Sequence, residues 1–506
     1  MAQGGEPPEL STLFPVSTTR LFRLDGIQMF HVLRFFFLII LLLSFIATPA
    51  AWSDQPPQPN VVLVFVDDMG WGDFSCFGNE DVETEHIDRL AREGVRFTQF
   101  YVNSPICSPS RTAITTGTWP QRWRIGSYLD NRRVNEARGV ANWLDPAAPT
   151  LARQLKAAGY RTGHFGKWHM GGQRDVGEAP LISEYGFDQS LTNFEGLGDR
   201  IISLKDFYDG RPAKPHGLGS ENLGHGEITY LPRDQVTAAF VDAALKFLDE
   251  SQKAGKPFYI NVWPDDVHSP FFPPEGTRGD NQKRTLYRSV LDAMDQQLAP
   301  LFDRIRNDSE LAENTLILIC SDNGPEKGAG SPGPFRPYEG GKTMLYEGGV
   351  RSSLVVWGPG LQASGSAGTT NQQSVFSAID LVPSLLKITG ASFPEMPLDG
   401  EALPEVLLGK SQDSRSAPLL FRRPPDRNQF DGDQDLPDLA IRSGDWKLLC
   451  EYDGTQTELY DLKNDAEERH NVAEQHGDVV EELKSQILKW HQEMPGDKGE
   501  TWRRGG

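Results

Sequence analysis

An α/β fold layered on a mostly parallel sheet is what the sequence predicts for the bulk of this 506-residue chain. Short, fully apolar runs rich in β-branched residues recur along it, segments with helical spacing lie between them, and acidic or amide residues stand where the runs end. Runs without alternation are the mark of strands buried on both faces, and strands alternating with helices build parallel sheets.

Taken in order, the first element is Val61-Val-Leu-Val-Phe-Val66, a buried strand after the polar, proline-rich spacer Asp54-Gln-Pro-Pro-Gln-Pro-Asn60. Thr150 is placed to cap a helix opening at Leu151, Gly159 stops it, and Tyr160-Arg-Thr-Gly-His-Phe165 returns as a strand. Residues 235–252 have helical spacing, Pro257-Phe-Tyr-Ile-Asn-Val-Trp263 reads as a strand, 287–305 as a helix, and Thr315-Leu-Ile-Leu-Ile-Cys320 as another buried strand. Residues 193–232 and 324–341 are rich in glycine or proline without periodicity and read as long loops, which inside a compact domain are usually functional. Beyond Gly400 an acidic stretch, 426–438, leads into Leu439-Ala-Ile-Arg442, Trp446-Lys-Leu-Leu449 and Thr457-Glu-Leu-Tyr460, then a helix over 479–490. These predict a small antiparallel sheet with one helix. The organisation expected is an N-terminal extension (1–53), a large domain (54–400) and a C-terminal subdomain (401–506).

In the extension, Arg34 precedes an apolar stretch, Phe35-Phe-Phe-Leu-Ile-Ile-Leu-Leu-Leu43 through Ile46, followed by the small residues Ala47-Thr-Pro-Ala-Ala51. That order is the order of a secretory signal, and roughly 12 apolar residues fall short of the ~20 a spanning helix needs. Export, to a periplasm or beyond, is the expectation; an uncleaved membrane anchor is the alternative. Residues 1–28 do not resemble the start of a signal, which makes Met29 a candidate first residue.

Fifty Lys and Arg against 70 Asp and Glu leave a formal charge of −20, which argues against nucleic acid as a partner and requires any anionic substrate to be held by a local cluster of cations. The four cysteines, Cys76, Cys107, Cys320 and Cys450, are too few for a disulfide scaffold and too far apart in sequence for a zinc knuckle or a C-x-x-C redox motif.

Asp67 and Asp68 follow the first strand at once, and Asp322-Asn323-Gly324 follow another, so both groups fall at strand carboxyl ends, where such sheets bind ligands. Each group alone is also an ordinary turn former. Together, three carboxylates and an amide oxygen without clustered Cys or His suit a hard cation such as Ca²⁺ or Mg²⁺. Cys107-Ser-Pro-Ser-Arg111 opens a segment running through Thr112 to Gly117, with Pro109 placed at a helix start. A helix beginning there puts Cys107 at its amino end with Arg111 one turn on, a setting that attracts an anion. A capped helix with an inert, buried cysteine fits the same residues. Lys167 and His169, two apart between glycines, point the same way if the segment is extended.

The motif Cys107-x-Pro109-x-Arg111 with Thr116-Gly117 resembles the signature of the type I, formylglycine-dependent sulfatases. The other motifs come in that family's order: Gly166-Lys-Trp-His-Met-Gly171, His268-Ser-Pro270, Gly340-Gly-Lys342 with Tyr346-Glu-Gly-Gly-Val-Arg351, Trp446-Lys-Leu448, and Glu458-Leu-Tyr-Asp-Leu462 with Asp465 and Asn471. The resemblance implies an alkaline-phosphatase-like three-layer sandwich with a smaller C-terminal α+β subdomain. It implies that a formylglycine-generating or sulfatase-maturating enzyme oxidises Cys107 to Cα-formylglycine, whose hydrate is the nucleophile. It further implies one Ca²⁺ held by Asp67, Asp68, Asp322, Asn323 and residue 107. Arg111, Lys167 and Lys342 then neutralise sulfate, His268 with Lys342 protonates the leaving oxygen, and His169 assists release of sulfate. Two positions depart from the family pattern: Val267, where many relatives have proline, and Ser352-Ser353 after Arg351. Neither carries a reacting group.

His164 is read as a structural strand residue, whereas His216 and His225, in the glycine-rich segment, are candidates to line a cleft. Trp119, Arg122, Trp123 and Arg124 supply rings and cations close to Cys107 in sequence, which favours a sulfated carbohydrate as substrate. The competing functions are a phosphonate monoester hydrolase or phosphodiesterase of the same superfamily, and a sulfated-glycan binding protein if Cys107 is never converted. Oligomeric state leaves no sequence signal.

Overall fold

The computed structural model describes residues 58–207, 211–327, 337–424 and 436–498. The apolar N-terminal segment, with the signal and anchor readings placed on it, lies outside the described residues, as does most of the acidic stretch 426–438. No helix among the described residues is long and apolar enough to cross a membrane.

The main sheet has twelve strands: β1 (Asn60–Val66), β2 (Val95–Tyr101), β3 (Arg161–Gly166), β4 (Gln189–Thr192), β5 (Arg200–Lys205), β6 (Lys214–Pro215), β7 (Ile228–Pro232), β8 (Phe258–Trp263), β9 (Thr315–Ser321), β10 (Arg351–Trp357), β11 (Thr369–Asn371) and β12 (Phe376–Ser377). Its order is β11-β2-β10-β9-β1-β8-β3-β4-β5-β6, with β12 on β2 and β7 on β5. Most pairs are parallel; β10 runs antiparallel to β2 and β9, and β6 to β5. β1 lies between β9 and β8, in register Val61↔Leu316 and Val61↔Tyr259.

That central place explains the unbroken apolar run, because both faces need covering. The longer helices that cover them are α1 (Glu85–Glu93), α2 (Cys107–Thr116), α3 (Leu151–Ala157), α4 (Val236–Lys253), α5 (Lys283–Arg306) and α6 (Ala378–Thr389). Val61, Leu63 and Phe65 pack in one core with residues of α2, α3 and α6, while Val62, Val64 and Val66 pack in a second core with α1, α4 and α5. The result is the expected three-layer sandwich. Thr150 caps α3 as predicted, its side chain accepting from Arg153 N.

A separate four-stranded antiparallel sheet joins β13 (Leu419–Arg422), β14 (Leu439–Ser443), β15 (Trp446–Cys450) and β16 (Glu458–Asp461), with α7 (Gly477–Glu493) alongside. One face packs Leu439, Ile441 and Leu448 with Ile487 and Trp490 of α7 and with Ala113 of α2. The other packs Phe421, Ala440 and Leu449 with Leu345 and Val350. The small sheet therefore touches both the helix that begins at Cys107 and the segment that carries Lys342.

One expectation fails here. Residues 193–232 are no plain loop: β5, β6 and β7 lie within them and extend the sheet at its far end. These strands owe their form to pairing rather than to pattern; β6 is two residues ending in Pro215, and prolines keep to sheet edges.

Candidate active site

The carboxyl ends of β1 and β9 bring the first two groups together. Asp322 N donates to Val66 O at 2.9 Å, and Asp68 N donates to Asp322 Oδ1 at 3.0 Å, so the two turns are laced to each other. Asp68 has φ 61°, a left-handed conformation unusual outside glycine, of the kind that clusters at functional sites. Gly324 must be glycine: a Cβ there would lie 1.9 Å from Gly348 O, so its absence lets the segment after β9 pack on the one carrying Lys342.

α2 begins at Cys107, with Ile106 as N-cap, so Pro109 is its third residue rather than its first. The placement costs nothing, because the first four N–H groups of a helix lack intrahelical acceptors. Cys107 is 2% exposed, and its thiol donates to Asp67 Oδ1 over 3.2 Å. Burial, then the Asp67 charge, push the thiol well above its ordinary range, so as a plain thiol it is a poor nucleophile. One turn on, the fully buried Arg111 donates to Lys167 O at 2.9 Å and to Asp322 Oδ2 at 2.8 Å, over the rings of Phe65 and Trp263.

Lys167 follows β3, where only glycine fits at position 166, because a Cβ there would lie 2.2 Å from Trp263 O. Its Nζ lies 2.6 Å from Asp67 Oδ2 and 3.0 Å from Glu195 Oε2. The segment is not extended as predicted: His169 has φ 53°. Its Nε2 lies 2.9 Å from Leu129 O and its Nδ1 3.2 Å from Glu195 Oε2, and burial lowers it to about 3. His169 thus joins the cluster through Glu195, a residue sequence reasoning missed. Glu195 sits in the glycine-rich segment with no motif around it; burial opposes its charge, yet His169 and Lys167 hold it down to about 2.

Lys342 Nζ reaches Asp68 Oδ2 at 2.5 Å, and His268 Nε2 lies 3.6 Å from the same oxygen. His268 Nδ1 lies 2.7 Å from Ser269 O. Burial and the nearby Lys342 lower His268 below its ordinary value. Asp67, Asp68, Cys107, Arg111, Lys167, His268, Asp322, Asn323 and Lys342 therefore lie in this one cluster, with His169 one side chain removed.

The donor set fits a divalent cation. Oxygens of Asp67, Asp68 and Asp322 and the Cys107 sulfur all lie within 4.8 Å of one another. Asn323 donates its amide to Asp68 Oδ1 at 2.7 Å, while its buried Oδ1 has no hydrogen-bond partner. So many buried acids cannot all stay charged unaided: burial, then the Asp67 charge, push Asp322 well above the carboxylate range, whereas against the cost of burial Lys167 holds Asp67 well below it. Hard oxygen donors with one orphaned amide oxygen suit Ca²⁺ or Mg²⁺.

The segment carrying Lys342 is braced by a second buried cluster. Glu347 Oε1 lies 3.0 Å from Lys447 Nζ, its Oε2 3.2 Å from Arg351 and 2.5 Å from Tyr101 OH, and Arg442 donates to that same tyrosine. Lys447 also pairs with Glu468 at 2.8 Å, and Glu468 accepts from Glu347 N at 2.5 Å.

Other expectations change. Trp119 is 5% exposed and packs edge-on against Trp490, 5.8 Å between centroids, so it offers no face to a ligand. Arg122 is paired with Asp399 at 2.6 Å; with Trp123, Arg124 and Trp143 it lines a cleft of about 510 Å³. His164 is structural, as expected, wedged between the rings of Trp168, Phe187 and Trp263. All four cysteines are unbridged.

A family model described as Sulfatase matches residues 59–391, and one described as N-sulphoglucosamine sulphohydrolase, C-terminal, matches 338–493. The chain is 29% identical over 520 residues to an N-acetylgalactosamine-6-O-sulfatase of Bacteroides thetaiotaomicron, covering 85% of this chain and 93% of that one. To human arylsulfatase A it is 30% identical over 480 residues, covering 85% and 87%. A solved structure from a core genetic locus for metabolism of multiple glycosaminoglycans in B. thetaiotaomicron superposes with a TM-score of 0.68 at 25% identity, covering 87% of this chain and 100% of that one.

Proposed function

The chain belongs to the sulfatase family and is a sulfuric ester hydrolase; on that premise we propose that it removes sulfate from a sulfated carbohydrate, using Cα-formylglycine formed from Cys107 and one bound Ca²⁺. We also propose that a separate maturating enzyme makes the formylglycine and that the chain is exported. The carrying observation is the position of Cys107: buried at the start of α2, against three carboxylates and ringed by Arg111, Lys167 and Lys342. The sugar is supported by the relatives' own names, which include an N-acetylgalactosamine-6-O-sulfatase.

Asp67, Asp68, Asp322 and Asn323 are the residues to hold the cation, which supplies positive charge beside residue 107. Hydrated formylglycine supplies a geminal diol whose two hydroxyls separate attack on sulfur from release of sulfate. The remaining work falls to side chains already in place. Arg111 fixes Asp322 and the Lys167 carbonyl and adds a positive charge that cannot be lost. Lys167 and Lys342, anchored on carboxylates, present ammonium charge to the sulfate and to the charge that grows in its transition state. With Nδ1–H given to Ser269 O, His268 keeps Nε2 as the ring atom that takes a proton and passes it to the leaving oxygen. Glu195 pairs with Lys167 and lies 3.2 Å from His169 Nδ1.

Mass spectrometry of the peptide containing Cys107, from protein made in its native host, should show a loss of about 18 Da against the thiol form, the mass difference of thiol-to-aldehyde oxidation. An unmodified thiol there overturns the catalytic reading and leaves a glycan-binding protein. Release of sulfate and not phosphate from matched esters, with Cys107→Ala as control, separates this reading from a phosphonate or phosphodiester hydrolase.

A further inference from the structure

The far edge of the main sheet carries a cationic pair that the reaction does not use. β5 and β6 pair antiparallel with Lys205 directly opposite Lys214. Side chains directly opposed across such a pair lie on one face, and like charges placed so repel. Neither lysine has an ion pair among the described residues. Arg233 adds to the field: burial and this guanidinium lower Lys205 to about 8. Lys214 lines a cavity of about 210 Å³ with Phe207, Arg211 and Pro212. Phe207, 57% exposed, is one of the most exposed large apolar side chains described.

This edge packs on two residues that neighbour the catalytic cluster in sequence. Phe207 meets Phe272 edge-on at 5.3 Å, and Phe272 follows His268 by four positions. His216, next after β6, meets Phe194 at 4.9 Å, and Phe194 precedes the Glu195 that holds Lys167. A repelling lysine pair beside an exposed ring, near a site for anionic esters, lacks among the described residues a partner of opposite charge with an apolar body.

We propose that the β5–β6 edge is a second anion subsite, where Lys205 and Lys214 receive a carboxylate or a sulfate on the sugar unit next to the one desulfated and Phe207 packs against that unit. The proposal rests on the carbohydrate reading above. It assigns recognition of an extended, multiply anionic glycan to a segment that has no part in the chemistry. Two cations that repel each other gain more from a shared anion than either would alone, and a ring face contributes sugar contact without fixing sugar identity.

The test compares kcat/KM on 6-sulfated N-acetylgalactosamine, on its disaccharide with a hexuronate, on the same disaccharide with the carboxyl reduced to an alcohol, and on a disaccharide bearing a second sulfate instead. 4-Nitrophenyl sulfate is the reference substrate. For the wild type, an anionic neighbouring unit should raise kcat/KM about tenfold over the monosaccharide, and carboxyl reduction should remove that gain; the carboxylate and second-sulfate arms show which anion is preferred. In a Lys205→Ala/Lys214→Ala variant the disaccharide-to-monosaccharide ratio should fall about tenfold, mainly through KM. Lys214→Glu replaces repulsion by attraction across the pair, so it should raise Tm while the ratio falls, which no loss of folding can imitate. An unchanged ratio in both variants overturns the subsite while leaving the carbohydrate reading standing. A wild type that releases sulfate from 4-nitrophenyl sulfate and from none of the sugars overturns both.

Discussion

Arg111 commits its guanidinium to two partners at once, the Lys167 carbonyl and the Asp322 carboxylate, with no exposed surface left over. A lysine has a single point charge and cannot span both. Arg111→Lys should therefore lower kcat/KM about a hundredfold, the scale of losing one electrostatic contact to the transition state, measured with an aryl sulfate at saturating Ca²⁺. Glu195 acts through others, so Glu195→Gln should cut kcat about tenfold while KM moves little; an equal rise in KM would mean that it serves binding instead. The contrast between these two residues shows what the sequence discloses. Arg111, Asp67 and Asp322 were legible because each lies within a turn of a strand end or helix start, where local spacing dictates direction. Glu195 and Trp119 were not. Glu195 comes to Lys167 only when the glycine-rich segment folds over the sheet end, and Trp119 lies close to Cys107 in sequence yet is buried against α7.

At the scale of elements, the small sheet's role lies in Lys447 of β15, whose ammonium holds Glu347 and Glu468 in a setting without solvent. Against burial, Lys447 and Arg351 hold Glu347 down to about 2, while burial and the neighbouring Glu347 charge push Glu468 up to about 7. With its pKa raised by folding, Glu468 keeps a proton that the unfolded chain releases from about pH 4.5 upward. Its stabilising contribution is thus complete below about 4.5 and lost as pH rises through about 7. Glu468→Gln lacks this loss. Thermal unfolding from pH 5 to 8 should show the variant gaining on the wild type as pH rises, and a constant gap would refute proton retention on Glu468. Elements differ in legibility for a related reason. β1 and β9 are legible because central strands must be apolar throughout, and α5 because both its ends stray only a few residues from the predicted 287–305. β5, β6 and β7 are held by their neighbours, and β13 is a four-residue strand that no pattern marks.

Across the whole molecule, the cation donors come from two chain positions some 250 residues apart, brought together by the pairing of β1 with β9, while residue 107 comes from a helix that packs on the sheet's face. A cation bound there is bound by the folded state alone, so it stabilises that state by RT ln(1 + [L]/Kd), about 2.7 kcal/mol at a hundredfold excess over Kd. Tm should rise with free Ca²⁺, fall on chelation, and lose this response in Asp322→Asn; a wild-type Tm indifferent to chelator would refute the metal assignment. The large-scale architecture was the most legible part of all, since layering follows from alternation of strand and helix alone, whereas the contact of the small sheet with both α2 and the Lys342 segment depends on tertiary packing. The burial of Cys107 also sets an order of events. With 2% of its surface exposed and its sulfur against Asp67, residue 107 is closed to another enzyme once the sandwich has formed. On the proposed chemistry its conversion belongs to the interval between synthesis and folding, so each molecule has one opportunity, and a chain that folds too soon stays an inert thiol for its lifetime.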